Sequence, residues 1–369
     1  MARFSFFSGE SGESGESGES GESGESGEAL ATGGGVSSRA LITSRDGVVG
    51  GWLAVTFPPA HVKASPAAVD LWDTKPRRFV FESELICGLS FDSHQDSVAV
   101  EFRERNEPRP ETLMHMIRPT PADFIQQLEY VRNYAALRLE RASEIVTQIS
   151  SVVPFFGAAC GLRPHRHPRT LEVLGIVTNV TKLIEMRMKH ALVCRRPDEY
   201  SSQIQPMIQT PGHGSLPSGH ATESFVTALM LYKLCRCAWG TSSADAPVDI
   251  ANPTFVQLMR VAERIAINRT VAGVHFPVDS AAGMVLAKTL AEFFVARFSG
   301  TSEVFARTFD GRGFQGDFAY EDIWERAGTI CKTSEFICRS RTPITIPKSN
   351  ILAHLWEQAV SEWQSHSAS

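Results

Sequence analysis

Three polar segments interrupt otherwise apolar helical sequence between residues 189 and 279: KHALVCRRP (residues 189–197), PSGH (217–220) and NRTVAGVHFPVD (268–279). Their residues include three cations, a hydroxyl group, a glycine amide, two imidazoles and a carboxylate, supplied by Lys189, Arg196, Arg269, Ser218, Gly219, His220, His275 and Asp279. These groups can hold a tetrahedral oxyanion and act on it chemically. We therefore expect this stretch to form an active site, surrounded by the helices that form the core of the fold.

The first segment contains two cations seven residues apart. Lys189 lies at the end of a helix predicted from Thr170 onward, and Arg196 precedes Pro197, which moves the chain out of helical geometry. A helix end and a loop can bring both side chains to one point, where Lys supplies a compact charge and Arg a planar fork of donors. Alone, this common spacing would not indicate a function.

The second segment is a loop that leads into a helix. The first turn of a helix presents amides without intrahelical partners and the positive end of the helix dipole. Ser218 adds a hydroxyl donor, the Gly219 amide allows an anion to approach the backbone, and His220 can exchange a proton near pH 7. An ordinary helix capped by Ser is the alternative interpretation of this short string.

The third segment lies between two predicted apolar helices. Gly273 and Pro277 predict a turn that brings Arg269 and His275 together. Asp279, four residues after His275, can accept the proton on the far ring nitrogen, which fixes the tautomer and makes the near nitrogen a better nucleophile or ligand. A purely structural His–Asp hydrogen bond is the alternative.

In this order and spacing, the segments resemble the superfamily of vanadium-dependent haloperoxidases and type 2 phosphatidic acid phosphatases, which includes bacterial acid phosphatases. Its pattern is KxxxxxxRP, then PSGH, then SRxxxGxHxxxD, and the resemblance covers about residues 120–300. The one departure is Asn268, which replaces Ser. The resemblance implies a mainly α fold, a helical bundle with the active site in its core, and the helical periodicity of the sequence agrees with this.

The resemblance also implies a role for each matching residue. The oxyanion, either vanadate or phosphate, would be bound by Lys189, Arg196, Ser218, Gly219 and Arg269. His275 would bind vanadium or attack phosphorus, His220 would be the general acid–base, and Asp279 would orient His275. His213 lies where bromide-oxidising members carry a second His.

On this basis we expect a vanadate-dependent haloperoxidase that uses hydrogen peroxide to oxidise halide, bromide favoured, with vanadate as the cofactor on His275. The soluble appearance of the chain, the position of His213 and the large terminal extensions favour this function. The first alternative is a phosphatase of the same superfamily, without a cofactor, that hydrolyses phosphate monoesters through a phosphohistidine at His275. The second is a non-catalytic interaction protein.

Composition and periodicity divide the chain into four parts. They are a disordered acidic Ser-Gly-Glu tail (1–35), a small β-rich region (36–118), the helical catalytic core (119–300) and a C-terminal extension that ends in a helix (301–369). Within them, the sequence predicts strands at 52–57, 78–82 and 98–102. It also predicts one helix of roughly 28 residues capped by Thr120, and an irregular stretch around Phe305–Phe318.

Charge and cysteine usage limit the partners and the compartment. The net charge is −5, but residues 1–28 contribute −6, so the remainder is close to neutral and lacks the basic excess of a nucleic-acid-binding protein. Seven cysteines without paired spacing predict reduced thiols, which suits a cytoplasmic protein. No apolar run is long enough to predict an integral membrane segment. The last helix could pack on its own chain or on a partner subunit, so a homo-oligomer is an open alternative.

Overall fold

Helices dominate the computed structural model, which describes residues 35–51, 65–105, 107–240, 248–300, 303–332 and 335–364. The mainly α prediction is therefore confirmed. In chain order the helices are α1 (Gly35–Val48), α2 (Thr74–Ile86), α3 (Pro121–Tyr134), α4 (Arg138–Ser150), α5 (Val153–Cys160), α6 (Pro168–Leu192), α7 (Pro197–Tyr200), α8 (Gly219–Ala238), α9 (Pro253–Ala272), α10 (Pro277–Ser299), α11 (Tyr320–Arg326) and α12 (Asn350–Gln364). Short 3₁₀ segments lie at Pro66–Leu71, Ala135–Leu137 and Gly311–Gly313.

Helix α8 is the centre of the bundle and packs against α6, α9, α10 and α12. From Gly219 to Tyr232 all of its residues are buried, and apart from His220 and Glu223 they are apolar or small, as expected for a helix enclosed by others. Gly283 allows α10 to approach it closely, because a Cβ atom there would lie 2.8 Å from the Ser218 carbonyl oxygen. The start of α8 is therefore pressed against α10.

A five-stranded sheet packs beside the bundle in the order β1 (Leu89–Ser93), β2 (Ser97–Phe102), β3 (Glu111–Ile117), β4 (Val304–Asp310) and β5 (Ile337–Ile344). Only the β3–β4 pair is parallel. The strand predicted from the alternation at 98–102 is confirmed as β2. The expected irregular stretch after Phe305 is wrong in its first part, because β4 pairs with β3 nearly 200 residues away and packs on α10.

The strand predicted at 78–82 is wrong, because these residues lie inside α2. Arg77, Phe81 and Leu85 are buried at steps of four, so burial on one helical face outweighs the β preference of the aromatic and branched residues between them. Two further predictions, the strand at 52–57 and the disordered repeats at 8–28, fall outside the described residues.

The single long helix predicted after Thr120 is two helices. Thr120 caps α3 as expected: the Asp123 amide donates to Thr120 Oγ1 at 3.3 Å, and the Thr120 amide donates to Asp123 Oδ2 at 2.8 Å. A 3₁₀ turn at Ala135–Leu137 then redirects the chain into α4. Helix α3 packs on α7, α9 and α10, and α4 packs on α9. Leu139, predicted on the apolar face, is 93% exposed as a result.

The cysteine prediction is wrong for one pair. Cys331 and Cys338 form a disulfide, and the other five cysteines are free thiols. A β-bridge between Ile330 and Arg339 brings the two chain segments together, and the Cα atoms of Cys331 and Cys338 lie 4.8 Å apart. Within the ranges described above, no helix has the combined length and apolar character of a membrane-crossing segment.

Candidate active site

The predicted site residues come together where the end of α6, the loop before α8 and the turn between α9 and α10 meet. Their side chains are almost inaccessible to solvent, at 0–2% exposure; this set is Lys189, Arg196, Ser218, His220, Arg269, His275 and Asp279. So many polar groups are buried only where they bind one another or a ligand.

The His275–Asp279 pair is formed by the start of α10. Gly273 ends α9 with φ of 86°, a backbone conformation that glycine adopts without strain, and the chain then turns into α10. His275 Nδ1 lies 2.9 Å from Asp279 Oδ2, which also accepts from the Phe276 amide at 3.0 Å. A buried carboxylate accepts hydrogen bonds, so this contact places the imidazole proton on Nδ1.

Arg196 lies against the other nitrogen of the same ring. Its Nη1 is 3.0 Å from His275 Nε2 and donates to the Val274 carbonyl at 2.9 Å. Because a guanidinium group only donates, Nε2 must offer its lone pair in this arrangement. The structure therefore gives His275 a proton on the Asp279 side and a lone pair on the side of the cation, which is the tautomer required of a nucleophile or a ligand.

Lys189 and Ser215 attach the loop before α8 to the site. Lys189 Nζ donates to the carbonyl oxygens of Gly214 and Ser215 at 3.1 and 3.2 Å. Ser215 Oγ donates to the Arg195 carbonyl at 3.0 Å and lies 3.5 Å from Asp279 Oδ1. Ser215 was not predicted; it lies three residues before Ser218, but the sequence contains no signal that separates it from other loop serines.

The start of α8 is fixed to α10 by its backbone. The Ser218 amide donates to the Asp279 carbonyl at 3.0 Å, and Ser218 Oγ accepts from the Ala221 amide at 3.5 Å, in the N-cap position. A cis peptide bond joins Leu216 to Pro217 just before it. Gly219 is therefore the first residue of a buried helix, where backbone amides and the helix dipole favour an anion.

His220 and Arg269 share a partner that was not predicted, Gln148 of α4. His220 Nε2 is 2.9 Å from the Gln148 carbonyl oxygen, and Arg269 Nη2 donates to Gln148 Oε1 at 3.0 Å. Gln148 is 2% exposed. Helical periodicity could not identify it, because a buried glutamine interrupts the apolar pattern that marks a core face.

His213 contacts the predicted site from the loop. Its Nδ1 lies 3.1 Å from Arg196 Nη2, and its carbonyl oxygen accepts from Arg196 Nε at 3.1 Å. It is partly exposed, unlike the residues it borders. The structure thus places His213 behind Arg196, where it can orient the guanidinium group.

The buried thiol of this region is unreactive. Burial raises the pKa of Cys194 to about 12, and the nearby Asp279 charge acts in the same direction. Cys194 therefore stays protonated near neutral pH.

Comparison with known proteins gives two findings. Residues 170–301 match the model of the PAP2 superfamily. The chain is also 27% identical over 125 residues to the decaprenylphosphoryl-5-phosphoribose phosphatase of Mycobacterium tuberculosis, in strains CDC 1551 / Oshkosh and ATCC 25618 / H37Rv. The aligned part is 34% of this chain and spans 59% of the length of those relatives.

Proposed function

We propose that the chain is a phosphatase that hydrolyses phosphate monoesters through a phosphohistidine at His275, because residues 170–301 match the PAP2 superfamily. The similar mycobacterial protein is named as a phosphatase, which favours this alternative over the haloperoxidase expected from the sequence. Vanadate as a resident cofactor, and peroxide and halide as substrates, stay predictions.

The His275 ring is the observation that best supports this proposal. With its Nδ1 proton held 2.9 Å from Asp279, its Nε2 lone pair can attack phosphorus once Arg196 Nη1 has moved from Nε2 to the phosphoryl oxygens. The N–P bond forms as the ester P–O bond breaks, and His220 donates a proton to the leaving alcohol. In the second step water attacks the phosphohistidine with His220 as the base, the N–P bond breaks, and inorganic phosphate leaves.

The surrounding cations supply the electrostatic part of catalysis. In our proposal Lys189, Arg196 and Arg269, with the Ser218 hydroxyl and the Gly219 amide, bind the phosphoryl oxygens. Charge spreads over these oxygens in the transition state, so donors fixed in a dry site stabilise it more than they would in water. Vanadate adopts the same five-coordinate geometry and should therefore inhibit the enzyme.

Hydrolysis of p-nitrophenyl phosphate by the purified full-length chain tests the proposal. We expect phosphate release that micromolar vanadate inhibits and that His275→Ala abolishes. His190→Ala is the matched control, because His190 is exposed on the same helix as Lys189 and should leave the rate unchanged. Peroxide-dependent bromination that requires vanadate, together with no phosphate release, would refute the phosphatase and support the haloperoxidase.

A further inference from the structure

The end of α4 forms a wall of the candidate site that the sequence motifs do not include. Its residue Gln148 lies outside the segment 170–301 that matches the family, yet it contacts two of the predicted site residues and is almost completely buried. A buried glutamine needs partners for its polar atoms, so its contacts indicate why it is there.

The backbone of Gln148 holds His220. The last four carbonyl groups of a helix have no amide partner within the helix, and Gln148 lies two residues before the end of α4 at Ser150. Its carbonyl oxygen lies 2.9 Å from His220 Nε2, and because a carbonyl only accepts, this contact puts a proton on Nε2. The catalytic proton of our proposed mechanism is then exchanged at Nδ1.

The side chain of Gln148 holds Arg269. Gln148 Oε1 accepts from Arg269 Nη2 and from Asn268 Nδ2, both at 3.0 Å. Asn268 is itself fixed, since its Nδ2 also donates to Glu144 Oε2 at 3.1 Å and its Oδ1 accepts from Arg141 Nη1 at 3.2 Å. If the Gln148 amide were reversed, its NH₂ group would face the donors of Arg269 and Asn268. If the Asn268 amide were reversed, its oxygen would face the Glu144 carboxylate. The hydrogen bonds therefore fix the orientation of both amides.

Glu144 anchors this network at its outer end. Arg264 donates to both Glu144 carboxylate oxygens, at 2.8 and 2.7 Å, and these hydrogen bonds lower the pKa of Glu144 despite its partial burial. The chain of contacts thus runs from a surface ion pair through Asn268 and Gln148 to Arg269. Asn268, the one departure from the family pattern, lies in the middle of it.

We propose that Gln148 is a positioning residue that aligns Arg269 through its side chain and His220 through its backbone carbonyl; this rests on the proposed phosphatase function. The two halves of its role are separable. A side-chain substitution removes the acceptor for Arg269 but keeps the carbonyl that holds His220. Oxyanion binding should therefore weaken while protonation of the leaving group is retained.

Gln148→Met tests this, because Met has a similar length and no strong acceptor. We expect orthovanadate to bind the variant about tenfold to a hundredfold more weakly, as measured by calorimetry on the full-length protein. The ratio of kcat for p-nitrophenyl phosphate to kcat for an alkyl phosphate should stay at the wild-type value. His220→Ala should raise that ratio, because alkoxide leaving groups need the proton most.

Three more variants separate positioning from a general loss of structure. Gln148→Met should cause no further loss of vanadate affinity in an Arg269→Ala background, because Gln148 acts through Arg269. Asn268→Ala removes the hydrogen bond from Asn268 Nδ2 to Gln148 Oε1 but keeps Gln148, and it should weaken vanadate binding about threefold to tenfold. This variant replaces Gln148→Met in the test if Gln148→Met does not fold. Thr181→Val is the stability control: it removes a buried hydrogen bond to Val177 on α6, roughly 12 Å from Lys189 along the helix.

The outcomes distinguish this inference from the proposed function. If the wild type hydrolyses the ester and binds vanadate but Gln148→Met binds vanadate equally well, the positioning role is wrong and the phosphatase stands. If the losses add in the double variant, Gln148 acts other than through Arg269, and the inference is wrong. If the wild type neither hydrolyses esters nor binds vanadate, both proposals fail.

Discussion

Asp279→Asn gives a sharp test of how the nucleophile is prepared. In the structure Asp279 Oδ2 accepts from His275 Nδ1 at 2.9 Å and from the Phe276 amide at 3.0 Å. The contact of Oδ1 with Ser215 Oγ is longer, at 3.5 Å. An introduced amide keeps both shorter hydrogen bonds if its oxygen occupies the Oδ2 position. His275 therefore keeps its tautomer in this variant and loses the negative charge beside it.

The size of the effect follows from that charge. A hydrogen bond to a charged group contributes about 1.5–3 kcal/mol and a neutral one about 0.5–1.5 kcal/mol, so the bond weakens by about 1–2 kcal/mol. Attack by Nε2 makes the ring cationic, and a full charge at about 4 Å and an effective dielectric constant of about 20 adds at most roughly 4 kcal/mol. We expect kcat to fall about tenfold to a thousandfold, with little change in KM, because Asp279 does not bind the oxyanion in our proposal.

Steady-state hydrolysis of p-nitrophenyl phosphate measures both parameters, with quenched-flow trapping of the phosphoenzyme to show that its formation is the step slowed. Asp198→Asn is the matched control, since the Asp198 carboxylate accepts from the Thr210 hydroxyl at 3.1 Å rather than from His275; its rate should change by less than about threefold. A kcat within threefold of wild type would refute the charge effect. A loss of about 10⁴ would mean that the amide has reversed and the tautomer has changed.

Three further predictions concern stability and redox state. Thr120→Ala should lower the free energy of unfolding in urea by about 1 kcal/mol without changing activity, because it removes the N-cap of α3. When the protein is unfolded without reductant, five thiols should react with a thiol reagent, and seven should react after reduction, because Cys331 pairs with Cys338. Seven reactive thiols in both conditions would contradict the disulfide. Burial lowers the pKa of Lys288 to about 7 from its ordinary 10.5, so between these pH values the unfolded chain binds more protons than the folded chain. The free energy of unfolding should therefore be larger at pH 9 than at pH 7, and Lys288→Met should abolish this difference.

The residues of the candidate site follow from residue types in a fixed order along the chain. The structure buries together the seven side chains that the motifs predict, Lys189, Arg196, Ser218, His220, Arg269, His275 and Asp279, and their chemical roles stay predictions. Local signals also placed some boundaries correctly. Thr120 with Asp123 forms the predicted cap of α3, and α12 (Asn350–Gln364) is the helix predicted to end the C-terminal extension. Such boundaries depend on residues that are neighbours in the sequence.

Other predictions failed where a distant segment decides the outcome. The stretch at 78–82 has β-like residues, yet one buried face makes it helical. The helix predicted after Thr120 is divided by the 3₁₀ turn at Ala135–Leu137, and its first half packs on α7, α9 and α10. The preference between haloperoxidase and phosphatase also did not follow from the motif. Both chemistries use the same oxyanion-binding groups, so the motif alone cannot separate them.

By itself, the sequence determined the mainly helical fold and the inventory of site residues, since helical periodicity, capping and motif spacing act over a few residues. Only the tertiary structure decided that β3 pairs with β4, that Cys331 meets Cys338, and that Gln148 lies between His220 and Arg269. These contacts join segments that are separated along the chain or lack a periodic signal. Their stability depends on the whole core having formed, because a buried hydrogen bond is favourable only after water has been excluded from both partners.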